Sequence, residues 1–279
     1  MRMRPIATLV CLFAGLCAAS PAAAQYGARA YRSDRATGEN YHVELGGTIW
    51  NPTPAIAISS ESLGIAGDTI DFVNDLGIEK SSFRQLKVVL RPGTKHKLRF
   101  EYTPIKYEAQ STVTRTFVFN GQRYTIGLPV TSELKWNAYR FGYEWDFLYA
   151  DRGFLGLLLE TKYTHVNASL TASVAGLTNT EFTEARAPIP AIGVVGRAYP
   201  AANISITGEF SAFKLPDAAA NPDKYSGKYY DFDLYGTVNF TDHFGAQLGY
   251  RSLDVFYKVK LDQGTMTLRG PYFGGVARF

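Results

Sequence analysis

Beyond residue 17 the chain contains no cysteine. Cys11 and Cys17 both fall in an N-terminal stretch that reads as an address, so the remainder can form neither a disulfide nor a cysteine-ligated metal site. Histidine is scarce as well. His42, His96, His165 and His243 are the only four, and no two of them have metal-ligand spacing. An excess of one charge is also missing: removing Arg2 and Arg4 from the 29 basic residues leaves 27 against 25 acidic ones, a balance that argues against nucleic acid as a partner. Finally, no apolar run after residue 24 approaches the roughly 20 residues that a membrane-spanning helix needs. If this chain crosses a membrane, it crosses with strands.

What is present begins with a leader. Arg2 and Arg4 form a short basic head, Ile6 to Ala18 an apolar middle, and Ala22-Ala23-Ala24 a small-residue cleavage site, the layout of a secretory signal peptide. Leu16 and Val10 precede the two cysteines, where lipidation requires a small residue. The expected organisation is a signal peptide over 1–24, a flexible periplasmic lead-in over 25–40 that lacks any pattern, and one folded domain over 41–279.

From Tyr41 the hydrophobic period becomes two. Val43, Leu45 and Ile49 alternate with His42, Glu44 and Thr48; Leu86, Val88 and Leu90 with Gln85, Lys87 and Arg91; Leu98, Phe100 and Tyr102 with Lys97, Arg99 and Glu101. Each run carries one apolar and one polar face. Between Asn137 and Phe147, the residues Tyr139, Phe141, Tyr143, Trp145 and Phe147 share a face. In water such a face is an aggregation hazard, whereas against lipid it is an ordinary wall with an interfacial girdle. The same alternation recurs around Leu157, Val194, Ile206, Leu234 and Leu248, and ends in a terminal run with Phe273, Gly275, Ala277 and Phe279 on one face. Phe273 and Phe279 are the expected insertion signal, read by the barrel-assembly machinery. The count is about ten strands, with eight or twelve as alternatives, and bacterial single-chain barrels have even numbers.

Short joins are expected at Pro92–Lys95, Leu148–Arg152, Pro200–Asn203 and Thr241–His243. Long ones are expected at 51–82, 109–130, 170–186, 214–228 and 253–268. The two classes alternate, as short periplasmic turns and long external loops do. Asn120-Gly121 suits a type I′ turn, so Phe117–Phe119 and Tyr124–Ile126 are expected to form a hairpin that extends the wall above the membrane. Asp68, Asp71 and Asp75, followed by Gly77, read as a short capped helix with a glycine stop. Their spacing does not fit an EF-hand, and helix-start carboxylates account for them without calcium. No metal and no cofactor is expected.

With these features the chain resembles the small single-chain outer-membrane β-barrel proteins, the outer membrane protein beta-barrel domain group, over Tyr41 to Phe279. The resemblance implies an all-β, transmembrane, antiparallel up-and-down barrel in the Gram-negative cell outer membrane, with outer-membrane lipid and lipopolysaccharide as its surroundings. It implies no single activity.

Function would reside on the inward faces. Glu44, Lys87, Arg99, Glu101, Arg140, Glu144, Glu160, Lys162, Arg197, Glu209, Asp231, Asp233 and Arg251 all take the polar side of their strands. In so narrow a barrel they form either a structural ion-pair core or the lining of a porin-like pore for ions and small solutes. The leading expectation is therefore a non-enzymatic structural or pore-forming barrel, and the alternative is a surface protein that binds an adhesion or envelope partner through its loops. Two enzyme patterns bear comparison. Omptin-like proteases use paired carboxylates with an Asp/His pair; here Asp231 and Asp233 have no histidine near them in sequence, and Asp242-His243 falls in a periplasmic turn. Thr164-His165-Val166-Asn167-Ala168-Ser169 resembles a scrambled form of the lipid A deacylase motif, but its serine lies about 13 Å from its histidine along one strand, too far for direct proton transfer. His42 is placed by parity as a possible lumen residue, and His96 beside a turn.

Overall fold

The computed structural model describes residues 36–59, 67–174, 177–215, 225–259 and 262–279, and of residues 173–174, 177–187 and 259 the backbone alone. Residues 1–35, the expected leader and most of the lead-in, lie outside that range. The strands are β1 (Val43–Trp50), β2 (Thr53–Ser59), β3 (Ile70–Asp71), β4 (Phe83–Gly93), β5 (His96–Thr112), β6 (Phe117–Phe119), β7 (Gln122–Tyr124), β8 (Pro129–Ala150), β9 (Gly153–Val174), β10 (Leu177–Ala201), β11 (Ile204–Lys214), β12 (Tyr225–Asn239), β13 (Phe244–Val259) and β14 (Asp262–Arg278).

Ten of them form the wall, in the order β1-β4-β5-β8-β9-β10-β11-β12-β13-β14, every neighbour antiparallel, and β14 returns to β1. The closing register runs from Glu44↔Arg278 to Trp50↔Tyr272. Closure leaves no strand edge in the wall with unpaired backbone groups, the condition for placing a sheet in hydrocarbon. Beyond Asn51-Pro52, β2 continues the line of β1 and pairs with the upper part of β14, from Thr53↔Arg269 to Ser59↔Gln263. The junction is tight. A β-carbon at Gly270 would lie 2.6 Å from the Pro52 Cα, so glycine is what allows the interrupted strand to sit against β14.

The short joins fall where expected, but two of the long connections are wall, and most of the one expected at 214–228 lies outside the described residues. β9 runs to Val174 and β10 starts at Leu177, while β13 runs to Val259 and β14 starts at Asp262. The expected loops at 170–186 and 253–268 are thus hairpin arms, and the first strand does not stop at Asn51. Sequence polarity misleads here for a physical reason: the outer face of these arms no longer meets lipid.

The polarity of the wall inverts along the strands. On β8, Phe141 and Trp145 point outward and exposed while Arg140, Glu144 and Asp146 point inward and buried. Further along the same strand the inward positions become Trp136, Leu134 and Val130, all buried, and the outward ones Lys135 and Glu133, which pair at 2.6 Å. On β5 the change falls between Thr103 and Ile105, with exposed Lys106 pairing outward to Glu108 at 2.9 Å and Glu133 at 3.1 Å. The boundary is a row of tyrosines across three strands: Tyr102 stacks on Tyr139 at 4.8 Å, and Tyr139 lies 6.4 Å from Tyr163. Below this row the outside is lipid. Above it, the outside is water and the inside becomes an ordinary apolar core. From Tyr139 to Phe147 is about 26 Å of strand at the usual rise, enough when tilted for much of the apolar band of an outer-membrane barrel.

The β6–β7 hairpin forms with the expected turn, Asn120 and Gly121 both having positive φ (49° and 80°). Its second strand is Gln122–Tyr124 rather than Tyr124–Ile126. It does not extend the wall. It forms its own two-stranded sheet, with Phe117, Phe119 and Tyr124 buried in one cluster with Ile70, Phe72, Leu76, Leu134, Trp136 and Leu170. Three apolar side chains on so short a hairpin find more burial over the barrel mouth than beside water. The expected helix around Gly77 is a single turn: Asp71 caps it through Val73 N (2.9 Å) and Asn74 N (3.0 Å), and Gly77, at φ +70°, ends it. The other two aspartates tie this turn to the hairpin region. Asp75 accepts from Arg115 Nη2 at 2.7 Å, a hydrogen bond that holds its carboxyl below the ordinary value, and Asp68 accepts from Val118 N at 2.8 Å.

Candidate functional site

All thirteen charges expected in the lumen lie on the inner face at membrane level, where they are joined by five others. Of the described residues, Glu39, Glu44, Glu101, Glu144, Asp146, Glu160, Glu209, Asp231 and Asp233 oppose Lys87, Arg91, Lys97, Arg99, Arg140, Lys162, Arg197, Arg251 and Arg278, nine of each sign. The balance matters because an uncompensated charge in so confined a space is costly.

The pairs cross the barrel. Glu209 on β11 accepts from Lys87 Nζ of β4 at 3.2 Å, from the Arg99 guanidinium of β5, and from the Tyr235 hydroxyl of β12 at 3.1 Å. Asp231 on β12 receives both Arg251 Nε (3.0 Å) and Nη2 (2.9 Å), a bidentate clamp, and Lys162 Nζ at 2.8 Å. Arg140 bridges Glu160 to Glu101, which also receives Arg251. Asp233 accepts from the Tyr272 hydroxyl at 2.9 Å. Such charge-assisted bonds are stronger than neutral ones and fix geometry.

Towards the periplasm, Lys97 Nζ lies between Glu144 Oε1 (2.6 Å) and Asp146 Oδ2 (2.9 Å). Arg278, 1% exposed, bonds Glu44 at 2.6 Å and Asn239 at 2.7 Å. Residues 36–40, the described part of the stretch read as a flexible lead-in, run with Tyr41 across this end. Ala36 N donates to Asp151 O, Thr37 N to Ala202 O, and Gly38 N to Asp242 Oδ1, so the segment touches three periplasmic turns in succession. Glu39 then reaches up to Arg197 Nη1 and the Tyr199 hydroxyl, both at 2.7 Å. Burial alone would raise the Glu39 carboxyl, but Arg197 and Tyr199 outweigh it and hold it below its ordinary value. Tyr41 carries two guanidinium groups over its ring, Arg91 at 5.3 Å and Arg278 at 5.6 Å.

Little free volume is left. A pocket of about 250 Å³ opens at the periplasmic mouth beside Glu39 and Arg91, but the two cavities enclosed among the ion pairs hold only about 20 Å³ beside Arg140 and about 10 Å³ beside Arg99. Each has room for about one water molecule.

Lys97 lies on the polar face that the alternation of Leu98 and Phe100 defines, and Asp146 and Arg278 could have been found by the same parity, since each alternates with an outward aromatic or leucine. Arg91 follows the same rule on β4. Glu39 could not, because its segment has no period. His42 precedes β1 and is exposed at the periplasmic mouth, bonding Arg91 O at 3.2 Å, rather than standing in the lumen between the strands. His96 bonds the Tyr143 hydroxyl at 2.6 Å. His165, Asn167 and Ser169 alternate with the inward Thr164, Ala168 and Leu170 and so take the outer face of β9. Phe273 and Phe279 are exposed outward, at 59% and 61%.

A closed antiparallel barrel of ten strands, with a lipid-facing apolar belt and short turns at one end, is an outer-membrane β-barrel, and its place is the cell outer membrane. One solved structure agrees in fold. The chain is similar to the outer membrane protease OmpT from Escherichia coli, at 11% identity over 88% of this chain and 98% of that one, with a TM-score of 0.57. Two further similar chains are the translocator domain of the autotransporter NalP from Neisseria meningitidis (11% identity, 85% and 89% covered, TM-score 0.42) and the attachment invasion locus protein Ail of Yersinia pestis (8% identity, 84% and 99% covered, TM-score 0.34). No protein-family model and no curated protein matches the chain.

Proposed function

We propose that this protein is a non-conducting, non-enzymatic outer-membrane barrel: a lipid-embedded anchor, fastened internally by ion pairs, that carries a rigid barrel extension above the membrane surface. The observation behind this reading is a lumen filled at membrane level. Residues 36–41 cross the periplasmic end, the balanced charge layer occupies the middle, and the β6–β7 hairpin with the Asp71–Gly77 turn packs into the external end. Three successive closures leave little for a selectivity filter to act on.

The engagement of the carboxylates speaks for the non-enzymatic part. Asp231 is clamped by Arg251 and Lys162, Asp233 accepts from Tyr272, and Asp242 accepts the Gly38 amide at the opposite, periplasmic end. A general base needs a free lone pair within reach of a substrate proton, and these carboxylates are committed elsewhere. The height of the wall supports a surface role. β8 alone has 22 residues, and its upper part presents charged side chains to water, so the external half offers outer surface to an envelope or adhesion partner.

Purified protein reconstituted in planar bilayers tests the reading. No conductance steps are expected above the bare-membrane background at any applied potential; reproducible unitary steps from the folded, heat-modifiable form would overturn it.

A further inference from the structure

Above the tyrosine row the inner face is not uniformly packed. A cavity of about 490 Å³ lies in the external half, against β2, β8, β9, β10, β11, β12, β13 and β14. Its walls include Ile58, Trp136, Val166, Ile189, Phe213 and Met266. Below it, Tyr229 forms the floor, with Lys162 Nζ 4.4 Å from the centre of that ring. The charge layer therefore closes this cavity from beneath, and whatever enters does so from the external side.

We propose that this cavity is a binding site for a neutral, largely hydrocarbon small molecule. The size falls within the range of small-molecule sites. The chemistry follows from the inward residues. Ile58, Val166, Ile189 and Met266 offer only dispersion and apolar surface, and Trp136, Phe213 and Tyr229 add aromatic faces. Three charged residues stand at the lining: Lys228 and Lys258 alternate with the inward Tyr229 and Tyr257 and so take the outward parity, whereas Asp262 shares the inward parity of Met266 on β14 and disfavours an anionic head group, while a hydroxyl meets no such penalty. Membrane acyl chains supply similar hydrocarbon, but Trp136 and Val166 lie three residues beyond Tyr139 and Tyr163, on the aqueous side of the girdle. The geometry therefore assigns the site to a free molecule that partitions out of water. It lies outside the ion-pair layer, so its occupation and the absence of conductance are independent.

Trp136 is a built-in reporter. The chain has three tryptophans; Trp50 is buried below, and Trp145 faces lipid at 44% exposure, so Trp145→Phe removes the indole that lipid-phase quenchers would reach. In vesicles of that variant, a bromine-labelled dodecanol is expected to quench saturably, and unlabelled dodecanol to restore the signal. The matching brominated dodecanoate should bind roughly tenfold more weakly. Filling the cavity with Ile58→Phe and Met266→Phe should abolish saturable quenching; the competition arm needs no filled variant, so a folding failure there does not rescue the idea. Quenching that rises only linearly with quencher, or that dodecanol does not reverse, overturns the site. Equal quenching from vesicles of acyl-brominated phospholipid, without added alcohol, overturns the free-ligand assignment, and tighter binding of the dodecanoate overturns the neutral class.

Discussion

Glu209→Gln is expected to destabilise the folded barrel by about 3–5 kcal/mol, read as the shift in the urea unfolding midpoint in lipid vesicles. Glu209 is 3% exposed and lies between Lys87, Arg99 and Tyr235, with Arg140 Nη2 at 3.6 Å. Glutamine keeps the shape and one acceptor but removes the negative charge, leaving cations from three strands facing each other with reduced compensation. The cost of breaking a buried pair from one side is of that size because the desolvation of the remaining partner is no longer offset. Removing a cation as well should recover part of the loss. Glu209→Gln combined with Lys87→Met is expected to be more stable than the single change, since replacing both members of a buried pair with groups of similar shape is often near neutral. A double variant less stable than the single would show that the network is held by something other than charge balance.

The second large effect is steric and falls at the seam. Gly274 on β14 faces β1 so closely that a β-carbon would run into the Gly47 carbonyl and lie 2.6 Å from the Thr48 Cα. Both obstacles involve backbone, which cannot rotate aside as a side-chain tip can. Gly274→Val is therefore expected to cost at least about 3 kcal/mol, the upper end of ordinary overpacking, and to suppress the compact heat-modifiable band on refolding. Gly47→Ala supplies the control on the partner strand, because its β-carbon would meet nothing within 4 Å and the barrel should form as before. If the two variants refolded equally well, the β14–β1 closure would not have the register Thr48↔Gly274.

The wall was readable from residues because lipid and lumen impose opposite demands on alternate positions. Tyr139, Phe141, Tyr143 and Trp145 could face only hydrocarbon, which placed Arg140 and Glu144 inside without knowledge of any partner. Partners were another matter. Glu209 meets Arg99 across 110 positions, a contact that depends on strand tilt and closure, and period-two alternation carries no information on either. The external half was harder still. Once Lys135 and Glu133 turn to water and Trp136 and Leu134 turn inward, the strand has the pattern of a soluble β-protein, and polar stretches such as 170–186 look like loop. The Asn120-Gly121 turn announced its hairpin by local chemistry, but where the hairpin goes is decided by the burial of Phe117, Phe119 and Tyr124, a tertiary matter. Residues 36–41 offered no pattern, since a segment lying across a mouth has no face to repeat.

The central claim is that this sheet closes in lipid around a charge layer sealed from water. Because no cysteine occurs after residue 17, single thiols test it directly. Ser211→Cys sits inside at 1% exposure, and Leu159→Cys outside at 56%. In folded vesicles the account predicts that a bilayer-soluble quencher reaches a fluorophore at 159, while the thiol at 211 reacts with a small water-soluble maleimide only after unfolding. Rapid aqueous labelling at 211 in the folded protein would contradict the sealed interior, and aqueous labelling at 159 would contradict the membrane wall itself.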